Sequence, residues 1–122
     1  MKGTIYEQIE RSKKRVLNDF KRGDIYLAKL DGIGSEQKGT RPVILLQNNN
    51  MNETSNTVIC VCLTSKEKRL DMKCHVKLND GSIALCEQIK TIDKSRVIKL
   101  IGRIEGAQLR EVEEAVRNTL RL

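Results

Sequence analysis

The chain's only proline, Pro42, lies inside "QKGTRPVILLQ" (residues 37–47). Proline has no backbone N–H and clashes with a helix interior, so this stretch is not mid-helix; it suits the first position of a strand. The nearly continuous apolar run after it predicts a strand buried on both faces. Proline also restrains its predecessor: Arg41 is pushed away from helical angles towards an extended backbone. A glycine-rich polar segment, "DGIGSEQKGT", comes before it and reads as a long mobile loop. The sequence thus sets an arginine with a restrained backbone at the seam between a flexible loop and a buried strand. Its guanidinium carries five donors in a planar fork that matches phosphate, and it stays charged at any physiological pH. An ordinary strand-end arginine in a salt bridge is the other reading of the same residue.

The remaining segments predict a mainly β domain. Residues 23–30 alternate as a first strand, and "TVICVCLT" (57–64) is a second apolar strand ending in Thr64. A hydroxyl at that strand end is expected to be exposed and able to donate. "NNNMNETSN" reads as a polar turn region and "SKEKRLDM" as loop. "KCHVKL" alternates weakly, "NDG" (79–81) signals a tight turn, "SIALCEQIKTI" is strand-like, "DKSRV" resembles one helical turn, and "IKLIGRI" returns to strand. Two helices flank these strands. In residues 5–20, Ile5, Ile9, Val16 and Phe20 make one stripe beside a run of basic residues; near the C-terminus, Leu109, Val112, Val116 and Leu120 make another. We divide the chain into a basic amphipathic N-terminal helix, 1–20, and a barrel domain, 21–122.

With 122 residues the chain suits one domain. Its net charge of +7 favours a polyanionic partner such as nucleic acid or an acidic protein tail, although a merely soluble basic surface reads the same way. The excess is uneven. Residues 1–22 hold seven basic and three acidic side chains, a net +4, which leaves +3 of the +7 for all the rest. No run approaches the ~18 apolar residues of a membrane span, and the N-terminus lacks the apolar core of a secretory signal, so the expected compartment is the cytoplasm.

The four cysteines, Cys60, Cys62, Cys74 and Cys86, show no C-x2-C pair, so the expectation is buried free thiols and no metal or other cofactor. Phosphate-cradling loops, H-E-x-x-H and G-x-S-x-G are absent, and the single histidine, His75, excludes two-histidine acid–base catalysis within one chain. His75 itself is either an acid–base group or a structural residue. With only Tyr6, Phe20 and Tyr26 as aromatics, base stacking cannot dominate any RNA binding; phosphate contacts and base-edge hydrogen bonds must carry it.

Taken together, "RGDIYLAKL", "GSEQKGTRPVILLQN", "TVICVCLT", "HVKL" and "CEQIKTIDKSRV", in this order, resemble the MazF/PemK family of toxin endoribonucleases. The resemblance implies a small SH3-like barrel with a C-terminal helix, preceded here by an extra N-terminal helix. It implies a homodimer that cleaves single-stranded RNA, largely messenger RNA, without a metal and without a membrane. It also implies an inhibitory antitoxin with an acidic, partly disordered tail. Arg41 and Thr64 carry over as the catalytic pair, with Arg41 in an electrostatic role. Glu36 and Gln37 carry over as loop residues near bound RNA, and Ser82 and Gln88 as base contacts. The chain departs from the family pattern in its short "VKLNDG" between His75 and Ser82 and in the helix before the usual family start. A non-catalytic nucleic-acid-binding module on the same barrel is the alternative.

Overall fold

In a computed structural model of the chain, residues 19–66 and 70–122 are described. Six strands form one antiparallel sheet: β1 Asp24–Asp31, β2 Lys38–Leu45, β3 Thr57–Thr64, β4 His75–Lys77, β5 Ile83–Asp93 and β6 Val97–Arg103. Their order across the sheet is β4-β5-β3-β2-β1-β6, so β4 and β6 are its edges. Helix α1, Asn49–Thr54, links β2 to β3; a 3-10 turn, Lys94–Arg96, links β5 to β6; and α2, Ala107–Leu120, closes the chain. Residues 5–18 of the helix expected over 5–20 lie outside the described residues. Asp19 and Phe20 are not helical, and Phe20 packs in the core against Tyr26.

The two-sided burial expected of the strand after Pro42 holds over Val43, Ile44 and Leu45, while the first four residues of β2 are exposed. Alternate residues of a strand face opposite sides, and here both sides are covered. Tyr26, Ala28, Val43, Leu45, Val58, Cys60 and Cys62 share one core. Ile25, Ile44, Val61, Leu63, Ala84 and Cys86 face the other, where Val112 and Ala115 of α2 pack upon them. Val112 and Ala115 are the buried residues of α2, while Leu120, expected in the stripe, is half exposed one turn from the chain end. Arg22 fixes that helix to the sheet: its guanidinium donates to Glu113 of α2 and to the Leu46 carbonyl.

Three local expectations need correction. Residues 49–54 are helical because the Asn48 side chain accepts from Met51 N–H as an N-cap, and because Asn52, fully buried, donates to the Gln47 carbonyl and accepts from the Gln47 side chain. Their polar side chains serve as caps and internal bonds, which composition reads as a turn. Pro42 is the fifth residue of β2, not the first. It is tolerated because β2 pairs with β3 only from Val43 onward, so at Pro42 the strand is still an edge on that side. Finally, Cys74 is only partly buried, unlike Cys60, Cys62 and Cys86. Burial pushes the thiols of Cys60 and Cys86 up to about 12 and that of Cys62 to about 11, which keeps all three neutral and inert.

Candidate active site

Register brings Arg41 and Thr64 together. Val43 and Cys62 are cross-strand partners. Stepping two residues towards the N-terminus of β2 and two towards the C-terminus of β3 reaches Arg41 and Thr64, and a step of two preserves the face. Both open on one cleft of about 270 Å³, lined by Gly34, Ser35, Glu36, Gln37, Lys38, Arg41, Thr64 and Lys66. Had the two side chains faced opposite walls, no common ligand could have met them.

Arg41 is exposed, and its Nε donates to the Lys38 carbonyl at 3.0 Å. That bond spans three residues and orients the guanidinium plane; its two terminal nitrogens have no hydrogen-bond partner among the described residues. Thr64 is not exposed as expected but 7% accessible, because the chain turns over it at Lys66. The Thr64 hydroxyl accepts from Lys66 N–H at 3.1 Å, which fixes its oxygen and leaves its own proton to donate. The cleft therefore presents a guanidinium fork and a hydroxyl donor, with Lys38 and Lys66 beside them and Glu36 as the one carboxylate. Such a set stabilises an anion. Sequence reasoning overlooked Lys38 and Lys66; their signal was proximity alone, three residues before Arg41 and two after Thr64.

The loop over this cleft is shorter than its composition suggested, Gly32 to Gln37, because β2 starts at Lys38. It folds back on itself tightly: a Cβ on Gly32 would lie 2.1 Å from the Gln37 carbonyl oxygen, so only glycine fits there. Two side chains of β5 tether it. Gln88 accepts from Gln37 N–H at 2.8 Å and donates to the Ser35 carbonyl at 3.1 Å. Lys90 donates to Glu36 at 3.0 Å. A bulge in β5 makes this reach: one step on β3, Val61 to Cys62, matches four on β5, Ile89 to Leu85. Cys86, Glu87 and Gln88 thereby leave the ladder with β3. Glu36 and Gln37 belong to the cleft, Gln88 braces it from outside, and Ser82 is elsewhere. Its hydroxyl donates to Asp80 at 2.6 Å, and it lines a separate cleft with Pro42, Leu63 and Arg103.

The tether gives a direct expectation. Replacing Gln88 by Ala removes two hydrogen bonds worth about 0.5–1.5 kcal/mol each. Hydrogen exchange at the Gln37 amide should quicken about tenfold or more, with little change in global stability. The hydrogen bond from Lys90, followed by the one from Ile33 N–H, holds the Glu36 carboxyl below its ordinary value. A depressed carboxyl pKa means the pair is intact above the ordinary carboxylate range and fails only as pH falls through the lowered folded-state value. Exchange at Gln37, corrected for intrinsic rate, should therefore rise again on acidification; a rate independent of both changes would mean that the loop is held by other groups.

His75, at the start of β4, lies 3.0 Å from Glu87, with its side chain only 7% accessible. Neither residue lines the cleft of Arg41 and Thr64.

Comparison with known proteins bears on the family and the fold. Residues 21–120 match the model of the PemK-like, MazF-like toxin of type II toxin–antitoxin systems. The endoribonuclease MazF of Staphylococcus saprophyticus is 37% identical over 111 residues, which cover 84% of this chain and 92% of that protein. Among solved structures, a mycobacterial endoribonuclease in complex with its cognate antitoxin superimposes with a TM-score of 0.71 at 20% identity, covering 84% of this chain and 96% of that one. MazF of Deinococcus radiodurans gives a TM-score of 0.69 at 20% identity, with the same coverages of 84% and 96%. These two likenesses concern the fold. The chain belongs to the PemK-like, MazF-like toxin family of type II toxin–antitoxin systems, as an endoribonuclease toxin.

Proposed function

We propose that this endoribonuclease toxin cuts single-stranded RNA, chiefly messenger RNA at a short sequence, by attack of a ribose 2′-hydroxyl on the adjacent phosphorus. The bond from phosphorus to the 5′-oxygen breaks, leaving a 2′,3′-cyclic phosphate and a 5′-hydroxyl, with no metal in the step. The observation that carries the reading is that Arg41 and Thr64 open on one cationic cleft. The transition state is a pentavalent phosphorane with added negative charge on its oxygens. Backbone bonds to Arg41 Nε and to the Thr64 hydroxyl oxygen orient the two groups, so the terminal nitrogens of Arg41 and the Thr64 proton meet that charge with little reorganisation.

Glu36 and Gln37 lie where the RNA backbone would pass, so entry requires the loop to release. Gln88 offers a donor and an acceptor to a base edge only after it lets go of Gln37 and Ser35. Ser82, outside the cleft, would meet a nucleotide further along the strand. The active unit is a homodimer in the cytoplasm. The mycobacterial relative solved with its antitoxin supports a cognate antitoxin here, one whose acidic segment would compete for the basic cleft.

The test is to incubate the full chain with mixed single-stranded RNA in the presence of EDTA and to map the new ends. Cyclic-phosphate and 5′-hydroxyl ends at a recurring sequence are expected. Intact RNA at high protein concentration would favour a non-catalytic RNA-binding module on the same fold.

A further inference from the structure

We propose that Cys74, His75 and Glu87 form a binding site for one divalent transition-metal ion of the zinc type. Cys74 and His75 are consecutive at the entry to β4, and Glu87 sits on the β5 bulge beside them. Backbone pairing holds the two strands in place: His75 is the cross-strand partner of Leu85, and Cys86 N–H donates to the Cys74 carbonyl at 2.8 Å. One ligand atom from each residue lies within 4.8 Å of the others, and it is the only such group among the described residues. His75 Nε2 stands 3.0 Å from Glu87 Oε2. Around a tetrahedral zinc ion with bonds of about 2.0–2.3 Å, ligand atoms stand roughly 3.3–3.8 Å apart. The 3.0 Å spacing lies just under that range and the 4.8 Å bound just above it, so closing the site calls for adjustments of about an ångström.

The plain reading of this corner is a histidine and a carboxylate that satisfy each other. The Cys74 thiol also hydrogen-bonds to Glu87, so three different donor types converge on one point, and the thiol is what changes the chemistry. Sulfur, imidazole nitrogen and carboxylate oxygen are the three donor types that zinc takes, and three protein ligands leave a fourth position open. Access also differs along the site. The imidazole is 7% accessible and the Glu87 carboxylate 37%, so an ion would arrive from the carboxylate side and find the imidazole already placed. On binding, the Cys74 S–H bond breaks and its proton passes to solvent; the thiolate and the carboxylate then offset the two positive charges. Linear spacing hides the site, because Glu87 reaches the Cys-His pair only through strand pairing and the bulge.

The experiment titrates the full chain, first stripped with a chelator, with Zn²⁺ against a chromophoric competitor, and separately with Co²⁺. One Zn²⁺ per chain and a thiolate-to-cobalt charge-transfer band are expected. Cys74→Ser should lower Zn²⁺ affinity at least tenfold and abolish the band. Glu87→Gln, at an accessible position that leaves the core intact, should also lower affinity at least tenfold but keep the band. Cys60→Ala, in the opposite core, should match the parent chain in both. Failure to bind stoichiometrically, or wild-type affinity in folded Cys74→Ser or Glu87→Gln, overturns the site. RNA cleavage in EDTA is a separate readout and can succeed or fail independently.

Discussion

Arg41→Ala should cut the rate of RNA cleavage by about 10²–10³, the loss typical of removing one preorganised donor to a developing anion. It should do so without unfolding the protein. Arg41 is exposed, and its hydrogen bond among the described residues goes to the nearby Lys38 carbonyl, so truncation leaves no cavity and no buried orphan there. Arg41→Lys keeps the charge but loses the planar fork, and most of the defect should remain. Single-turnover cleavage of a defined oligonucleotide, with melting temperatures measured alongside, checks the pair of claims. A loss below tenfold for Arg41→Ala would remove this residue from the chemistry.

The largest expected effect on stability lies at the base of β1. Asp24 is 1% accessible and takes three hydrogen bonds, from Arg103 Nε at 2.8 Å, the Tyr26 hydroxyl at 3.1 Å and Lys21 N–H at 3.0 Å. Burial, reinforced by Asp24, raises the Tyr26 phenol well above its ordinary value, so it remains a donor at every physiological pH. Asp24→Ala leaves the Tyr26 and Lys21 donors without an acceptor. Removing one member of a buried charged pair costs about 3–5 kcal/mol. Arg103 is 52% exposed and can turn to water, so the lower end, about 3 kcal/mol, is expected here. For a chain of this size that is a fall in melting temperature of roughly 10 °C. Asp24→Asn keeps an acceptor and should recover part of the loss. Equilibrium urea unfolding of both variants is the check; an Asp24→Ala chain within about 1 kcal/mol of the parent would show that water replaces the carboxylate.

What the sequence made legible follows from period and covalent geometry. The double burial of the second half of β2 was readable in its unbroken apolar run. That Arg41 and Thr64 share a face follows from a two-residue period once Val43 is set against Cys62, but that register is a tertiary fact. Strand runs show which residues alternate and not which residue faces which. The buried state of Thr64 was hidden for a related reason, since the covering chain at Lys66 belongs to a segment that reads only as polar loop. Asn48 and Asn52 misled because capping and internal bonding use the same side chains that mark turns. The place of Ser82 was likewise not legible: its hydroxyl donates to Asp80, in a cleft apart from Arg41.

The bulge of β5 was invisible in the sequence, yet it sets two neighbourhoods at once. Glu87 leaves it towards β4, and Gln88 leaves it towards the loop over the cleft. Its three residues stand outside the ladder with β3; Cys86 is buried in the core beneath α2, whereas the side chains of Glu87 and Gln88 lie outside that core. Mutational drift there can retune what each neighbourhood offers while the pleated scaffold stays in register. A lineage of such toxins can diversify at Glu87 and Gln88 of this kink while Cys86 keeps the core packed.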